Sequence, residues 1–159
     1  MEGEELMTKR FIVPVIVTVV LVGVAFAARQ TAAGDGVGAQ GRAPVKVTRV
    51  YTGPDGKARA EEIDVKLAPG TTELSQMFDV AGIQFRRQSP NYFQDWHPAP
   101  RRQYVVTLRG QGMIELRDKK IVAGPGHVLL MEDVTGEGHI SRGVGSEDRV
   151  TLFIPLPAK

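Results

Sequence analysis

From residue 45 onward, short apolar or β-branched runs alternate with clusters of turn-forming residues, and no stretch keeps the 3.6-residue period of an amphipathic helix. Gly and Pro punctuate these runs, and the Gly-Gln-Gly sequence at 110–112 predicts a hairpin connection. Nine strands are predicted, at 45–51, 58–67, 83–88, 104–109, 113–117, 119–122, 128–131, 138–142 and 149–154, with a loop or short helical turn at 73–79. Regular turn spacing without helical crossovers predicts an all-β sandwich or barrel.

The N-terminal segment has a different pattern. Residues 11–28 form an uninterrupted apolar run that follows Lys9 and Arg10 and contains Ala25-Phe26-Ala27, the small-x-small arrangement of a signal-peptidase site. Residues 1–27 are therefore predicted to be either a cleaved signal peptide or an uncleaved hydrophobic membrane-anchoring helix, because the run also reaches bilayer length. Either alternative places the remainder outside the cytoplasm, in the periplasm or secreted. The acidic residues before Met7 favour a translation start at Met7.

Residues 28–44 are predicted to be a flexible linker. The segment is rich in Gly, Ala and Gln and has almost no large apolar side chain, so it cannot bury enough surface to offset the entropy of ordering. One folded domain, residues 45–157, is expected to follow it.

Composition narrows the chemistry that this domain can carry. The chain has no cysteine, which excludes disulfides, zinc–thiolate sites and thiol catalysis. Its net charge is only +2 and the charges are dispersed, so we expect no nucleic-acid partner. Membrane contact is expected only through the N-terminal segment, if it is not cleaved.

Two stretches resemble the sequence motifs of the cupin family. The first cupin motif has the form His-x-His, three or four residues, Glu, six residues, Gly. The segment WHPAPRRQYVVTLRG at 96–110 fits this frame without a gap, with His97 at the first His, Ala99 at the second His, Gln103 at the Glu and Gly110 at the Gly.

The second cupin motif has the form Gly, five residues, Pro-x-Gly, two residues, His, three residues, Asn. Gly126 is similar to its opening Gly, Glu132 occupies the Pro place, His139 is similar to its His, and Gly143 occupies the Asn place. The resemblance implies a cupin-like double-stranded β-helix, that is, a jelly-roll barrel, preceded by the hydrophobic helix and the linker.

The resemblance also implies a candidate metal site. His97 and His139, from opposed strands, would meet in the barrel mouth with the amide oxygen of Gln103, and Glu132 could add a carboxylate. Such a set could hold one divalent transition metal, Fe, Mn, Ni, Cu or Zn. The alternative is that no cofactor binds and that the two imidazoles are hydrogen-bonded polar residues lining a pocket.

Further side chains are candidates for binding a small molecule in the same pocket. Arg101 and Arg102 could hold a carboxylate or phosphate, or could instead form salt bridges with the Glu132–Asp133 pair. Trp96 is expected at the outer sheet or the barrel lip. The full set of candidate ligand-binding residues is Trp96, Arg101, Arg102, Tyr104, Thr107 and Ser141.

These observations favour an exported cupin-fold protein that binds a small polar or anionic molecule. Two alternatives stay open: a metal-dependent enzyme of the dioxygenase or isomerase type using His97, Gln103 and His139, and a structural envelope protein without a ligand. No catalytic residue is assigned. A homodimer through sheet edges is expected by analogy with other cupins.

Overall fold

The computed structural model describes residues 42–158, which form ten strands and no helix. The predictions for residues 1–27 and for most of the linker lie outside the described residues. Within the described range, no helix is long and apolar enough to span a membrane. The strands are β1 (Lys46–Thr52), β2 (Ala58–Asp64), β3 (Gln84–Gln88), β4 (Phe93–His97), β5 (Gln103–Arg109), β6 (Gln111–Glu115), β7 (Lys120–Ala123), β8 (Val128–Glu132), β9 (His139–Val144) and β10 (Arg149–Pro155).

The ten strands form two sheets. The larger sheet has the order β2-β1-β8-β5-β10-β3 and the smaller has the order β4-β9-β6-β7. Neighbours pair antiparallel except β1 and β8, which are parallel. The prediction of an all-β fold is confirmed as two sheets.

The core lies between the sheets. Alternate residues of β5 point inward, as expected for a half-buried strand, so that Gln103, Val105 and Thr107 are buried. Two of these three inward side chains are polar, which already marks this part of the core as unusual. The buried apolar cluster consists of Val50, Ala58, Ala99, Val105, Ile114, Leu116, Ala123, Leu129 and Met131.

The predicted hairpin at 110–112 is wrong. β5 belongs to the six-stranded sheet and β6 to the four-stranded sheet, and the two strands do not pair. Gly110 is a corner at which the chain passes from one sheet to the other. A short Gly-rich connection does not by itself distinguish a hairpin from such a corner.

The strand β4 was not among the predicted strands. Its sequence, Phe-Gln-Asp-Trp-His, has no apolar alternation, and its first three residues are exposed. It is nevertheless held in the sheet by antiparallel pairing with β9. The loop predicted at 73–79 is confirmed, with a single isolated bridge between Ala68 and Leu74.

The strand β3 is the last strand of the larger sheet and pairs only with β10 among the described residues. It is exposed along almost its whole length, including Phe85. The homodimer through sheet edges stays a prediction, and β3 is one of the edge strands at which it could form.

Candidate functional site

A cavity of about 220 Å³ opens between the two sheets. Both sheets contribute to its wall, and the wall combines apolar side chains with several polar and cationic groups. Among the described residues that line it, none is Asp or Glu. The lining residues are Arg86, Gln88, Tyr92, Gln94, His97, Pro98, Ala99, Pro100, Gln103, Val105, Ile114, Leu129, Met131, His139, Ser141, Arg149 and Phe153.

His97 and His139 meet in this cavity. Their ring centroids are 4.4 Å apart and the ring planes are inclined by 54°. The expectation that they come from opposed strands is wrong: β4 and β9 are neighbours in the four-stranded sheet, and the two histidines are register partners. Cross-strand partners on one face of a sheet lie close together, which explains the contact between the rings.

Each histidine is held by a hydrogen bond from its Nδ1 atom. His97 donates to the backbone carbonyl oxygen of Asp95 and His139 to the carboxylate Oδ2 of Asp133, both over 2.6 Å. A carbonyl and a carboxylate can only accept, so Nδ1 carries the proton in both rings. In a neutral imidazole the Nε2 atom is then an acceptor. A neutral ring of this pair therefore offers its Nε2 atom as an acceptor to a guest.

The surroundings keep His97 neutral. Burial lowers the pKa of His97, and the neighbouring His139 acts in the same direction, while the hydrogen bond to Asp95 and the charge of Asp133 oppose them. The net result is a pKa below the ordinary histidine value. At neutral pH the His97 ring is uncharged and its Nε2 lone pair is free to accept.

The loop between β8 and β9 places Asp133 behind His139. Asp133 is fully buried, and its backbone carbonyl accepts a hydrogen bond from the Ala99 amide over 3.0 Å. Gly138 has φ +73°, and a Cβ atom there would collide with the carbonyl oxygen of His97. Glycine at 138 thus lets the chain pass close to β4 before His139 enters its strand.

Gln103 and Ser141 complete the part of the predicted site that lines the cavity. Gln103 is buried and reaches it from β5 in the larger sheet, and Ser141 lies two residues after His139 on β9. Four predicted residues, His97, Gln103, His139 and Ser141, are therefore brought together.

The donor set does not fit a resident divalent metal ion well. Two imidazoles and one neutral amide offer no negative charge, and Ala99, where the cupin motif has a second His, is a buried methyl group in the cavity wall. Within residues 42–158 no cluster of three or more His, Asp or Glu residues could hold a metal. The arginines in the same wall disfavour a cation further.

Glu132 and Arg102 lie outside the cavity and bind each other. Arg102 donates to Glu132 Oε1 over 2.7 Å from Nε, and Arg49 donates to Oε2 over 2.7 Å. The salt bridge considered for Arg102 is the one that forms. Burial raises the pKa of Glu132, but the hydrogen bonds from Arg49 and Arg102 outweigh it and hold the pKa below its ordinary value.

The remaining predicted residues have other surroundings. The Arg117 guanidinium covers the Trp96 ring at 4.1 Å from its centroid, and Tyr104 packs edge-on against Phe78. Arg101 is exposed at a neighbouring depression, and Thr107 is buried below the cavity. None of these four side chains lines the cavity itself.

Arg149 lines the cavity but is not among the predicted site residues. It is only 6% exposed, and its Nη2 group donates to the Thr107 hydroxyl over 3.0 Å. Burial lowers its pKa, with Tyr92 opposing, yet a guanidinium stays charged in proteins. The alternation of side chains along β10 could have identified Arg149 as a site residue. Arg149, Thr151 and Phe153 are alternate residues of this strand, so Arg149 shares the inward face.

No protein-family model matches the chain, and no curated protein sequence matches it. Among solved structures, a conserved protein of unknown function from Streptococcus pyogenes is similar over 54% of this chain and 72% of its own, with 20% identity and a TM-score of 0.40. A proposed ethanolamine utilization protein Q from Salmonella typhimurium is similar over 74% of this chain and 100% of its own, with 15% identity and a TM-score of 0.38. Neither similarity bears on a ligand or an activity.

Proposed function

We propose that the domain binds a small organic anion in the cavity between its sheets. The observation that carries this proposal is the composition of the cavity wall, which contains two arginines and two histidines but no acidic side chain among the described lining residues. An anion would supply the charge that the wall lacks.

The size of the cavity favours a small ligand. Its volume of about 220 Å³ lies below the roughly 300–1,000 Å³ of pockets for drug-sized molecules. Apolar residues such as Val105, Ile114 and Leu129 make up the rest of the wall. A compact molecule with one charged group and an apolar body matches these features.

Thermal unfolding of the full-length chain in mild detergent, followed by the fluorescence of its single Trp, tests the proposal. The panel contains small carboxylates, inorganic phosphate, and neutral amides and alcohols of the same sizes. We expect only anions to stabilise, by about 2.7 kcal/mol at a hundredfold excess over Kd, or roughly 10 °C in Tm. A panel in which no anion raises Tm would contradict the proposal and favour the structural envelope role.

Two leucine substitutions show whether stabilisation comes from the cavity. Ser141→Leu fills part of the cavity and should abolish the shift in Tm. Ser146→Leu makes the same change on an exposed loop and should preserve it. Equal shifts in both variants would place the anion elsewhere on the protein.

A metal-dependent function is the second candidate, favoured by one observation: both histidines use Nδ1 for structural hydrogen bonds and keep Nε2 free, as metal-ligating histidines do. Elemental analysis of untagged protein distinguishes the candidates. Metal near one equivalent per chain that is lost in His97→Ala would support the metal site and contradict anion binding without a cofactor.

We further propose that the domain works outside the cytoplasm, on the strength of the apolar run at 11–28 and the Ala25-Phe26-Ala27 sequence. An alkaline phosphatase fusion after residue 159 should be active with either a cleaved or an uncleaved N-terminal segment. Intact mass then separates them, because a cleaved chain begins at Ala28. An inactive fusion would contradict export.

A further inference from the structure

We propose that Arg149 is the anion-binding residue of the cavity and that its ligand is a monocarboxylate with a hydrogen-bond donor at the opposite end. This inference rests on the proposed function and specifies its chemistry. Nothing in the cupin-like motifs includes Arg149, which lies after both of them in the chain.

The Arg149 side chain is buried in a way that leaves its charge uncompensated. It is 6% exposed, and none of the ion pairs among residues 42–158 includes it. Its one side-chain hydrogen bond goes to the neutral Thr107 hydroxyl, and its Nε–H has no partner. A desolvated, unpaired cation whose side chain lines a cavity is a site that an oxyanion would complete.

The fold leaves room for this guanidinium. Gly112 on β6 faces it, and a Cβ atom at that position would lie 2.5 Å from Nη1 and 2.7 Å from the central carbon of the guanidinium. Any larger residue at 112 would displace the Arg149 head group. The contact between Gly112 and the buried Arg149 side chain therefore forms this end of the cavity.

The charge balance favours a carboxylate over a phosphate. Arg149 supplies the one buried positive charge of the wall, because the other arginine of the wall, Arg86, is exposed. The polar side chains Tyr92, Gln94 and Ser141 share the wall and add no positive charge. The Tyr92 hydroxyl already donates to the Gln94 side-chain oxygen over 2.5 Å. A monoanion would be neutralised there, whereas a dianion would keep one uncompensated charge. The planar guanidinium also matches the two oxygens of a carboxylate.

The imidazoles lie at the other end of the same cavity. Gly112, against which Arg149 packs, is the register partner of Gly143 on β9, and His139 lies four residues earlier on that strand. At about 3.4 Å per residue, His139 and Gly143 are separated by roughly 13 Å along β9, with Ser141 midway between them. Because the Nε2 atom of neutral His97 accepts a hydrogen bond, the far end of the ligand must donate one, as a hydroxyl or amine does.

Three probes test the carboxylate and the hydrogen-bond donor of the ligand separately: 4-hydroxyphenylacetate, its neutral amide, and phenylacetate, which lacks the hydroxyl. Binding to the full-length chain in detergent is measured by calorimetry. We expect the hydroxy acid to bind at least about tenfold more tightly than its amide, since charge-assisted hydrogen bonds discriminate by this much. We expect phenylacetate to bind several-fold more weakly than the hydroxy acid.

Arg149→Met should abolish the preference for the acid over the amide, and Arg101→Met, at an exposed position outside the cavity, should preserve it. If Arg149→Met fails to fold, Arg149→Lys decides the question. Lysine keeps the positive charge but lacks the planar pair of N–H groups of a guanidinium, so this substitution should weaken acid binding several-fold and leave amide binding unchanged.

The outcomes distinguish the two levels of the proposal. A preference for the acid that survives Arg149→Met would overturn the role of Arg149 while anion binding elsewhere in the cavity stands. Equal binding of the acid and the amide by the wild-type chain would contradict the proposed function as well. Equal binding of phenylacetate and the hydroxy acid would overturn the required donor. No binding of any probe would contradict the proposed function as well.

Discussion

Partly buried charged side chains have opposite surroundings in two regions of this small domain: they are paired in one region and unpaired in the other. On the outside of the larger sheet, Glu132 accepts hydrogen bonds from both Arg49 and Arg102. In the cavity, Arg149 is more deeply buried and has no acidic partner among residues 42–158. Pairing offsets the desolvation cost of a charge, whereas an unpaired charge reduces stability unless a ligand supplies its partner. The contrast is the reason why we propose the cavity as the binding site.

The largest effect is expected from removing the shared acid. Glu132→Gln leaves Arg49 and Arg102 facing a neutral amide, and we expect a loss of about 2 kcal/mol in the free energy of unfolding at pH 7. Glu61→Gln is the matched control, because Glu61 also binds Arg49 but its side chain is 44% exposed against 13% for Glu132. The control should lose less than about 0.5 kcal/mol. Equal losses in denaturant titrations would remove the distinction between the two pairs.

Acid should abolish the difference between the wild-type chain and Glu132→Gln. The pKa of Glu132 is lowered in the folded protein, so its stabilisation is fully present above about pH 4.5 and is lost as pH falls through the folded pKa. Denaturant titrations in steps from pH 7 to pH 3 should show the two stabilities converge at the acid end. A constant difference across this range would mean that the Glu132 charge does not cause it.

A smaller effect is expected at Gly112. Gly112→Ala places a methyl group against the Arg149 guanidinium, which must shift, and we expect a loss of about 1.5 kcal/mol together with weaker carboxylate binding. Gly124→Ala is the control, because a Cβ atom there meets only the Gln111 side chain at 3.7 Å. Unchanged carboxylate binding in Gly112→Ala would show that the guanidinium position does not matter.

The smallest change in stability is expected from Arg149→Met without ligand. It removes an uncompensated buried charge, so the unfolding free energy should stay the same or rise by up to about 1 kcal/mol. The same substitution at Arg102 removes a partner of Glu132 and should lower it by about 1 kcal/mol. A large loss in Arg149→Met would mean that Arg149 is a structural residue.

The sequence was sufficient to predict the all-β fold, because alternation and turn residues report local geometry. Both histidines were selected by the resemblance to the cupin motifs. It did not reveal β4, whose residues are held by pairing with β9 and not by an apolar pattern of their own. It also misassigned the connection at Gly110, since the sheet that a strand joins depends on long-range pairing.

The two imidazoles of the candidate site could be predicted from the sequence, but the buried positive charge of Arg149 could not. His97 and His139 stand at motif positions, whereas Arg149 is one arginine among many until the structure shows which are paired. Arg102 is the opposite case: it stands beside Gln103 in the chain, but its side chain forms the salt bridge with Glu132 that the sequence offered as an alternative to ligand binding.

The most direct measurement is the NMR signal of the Arg149 Nε–H group, identified by its loss in Arg149→Lys, during titration with 4-hydroxyphenylacetate. This N–H has no hydrogen-bond partner in the free protein. We predict a saturable shift of its proton as the carboxylate binds the Arg149 guanidinium, and no such shift with the neutral amide. An Nε–H signal that stays in place while the acid binds would contradict the claim that Arg149 holds the ligand.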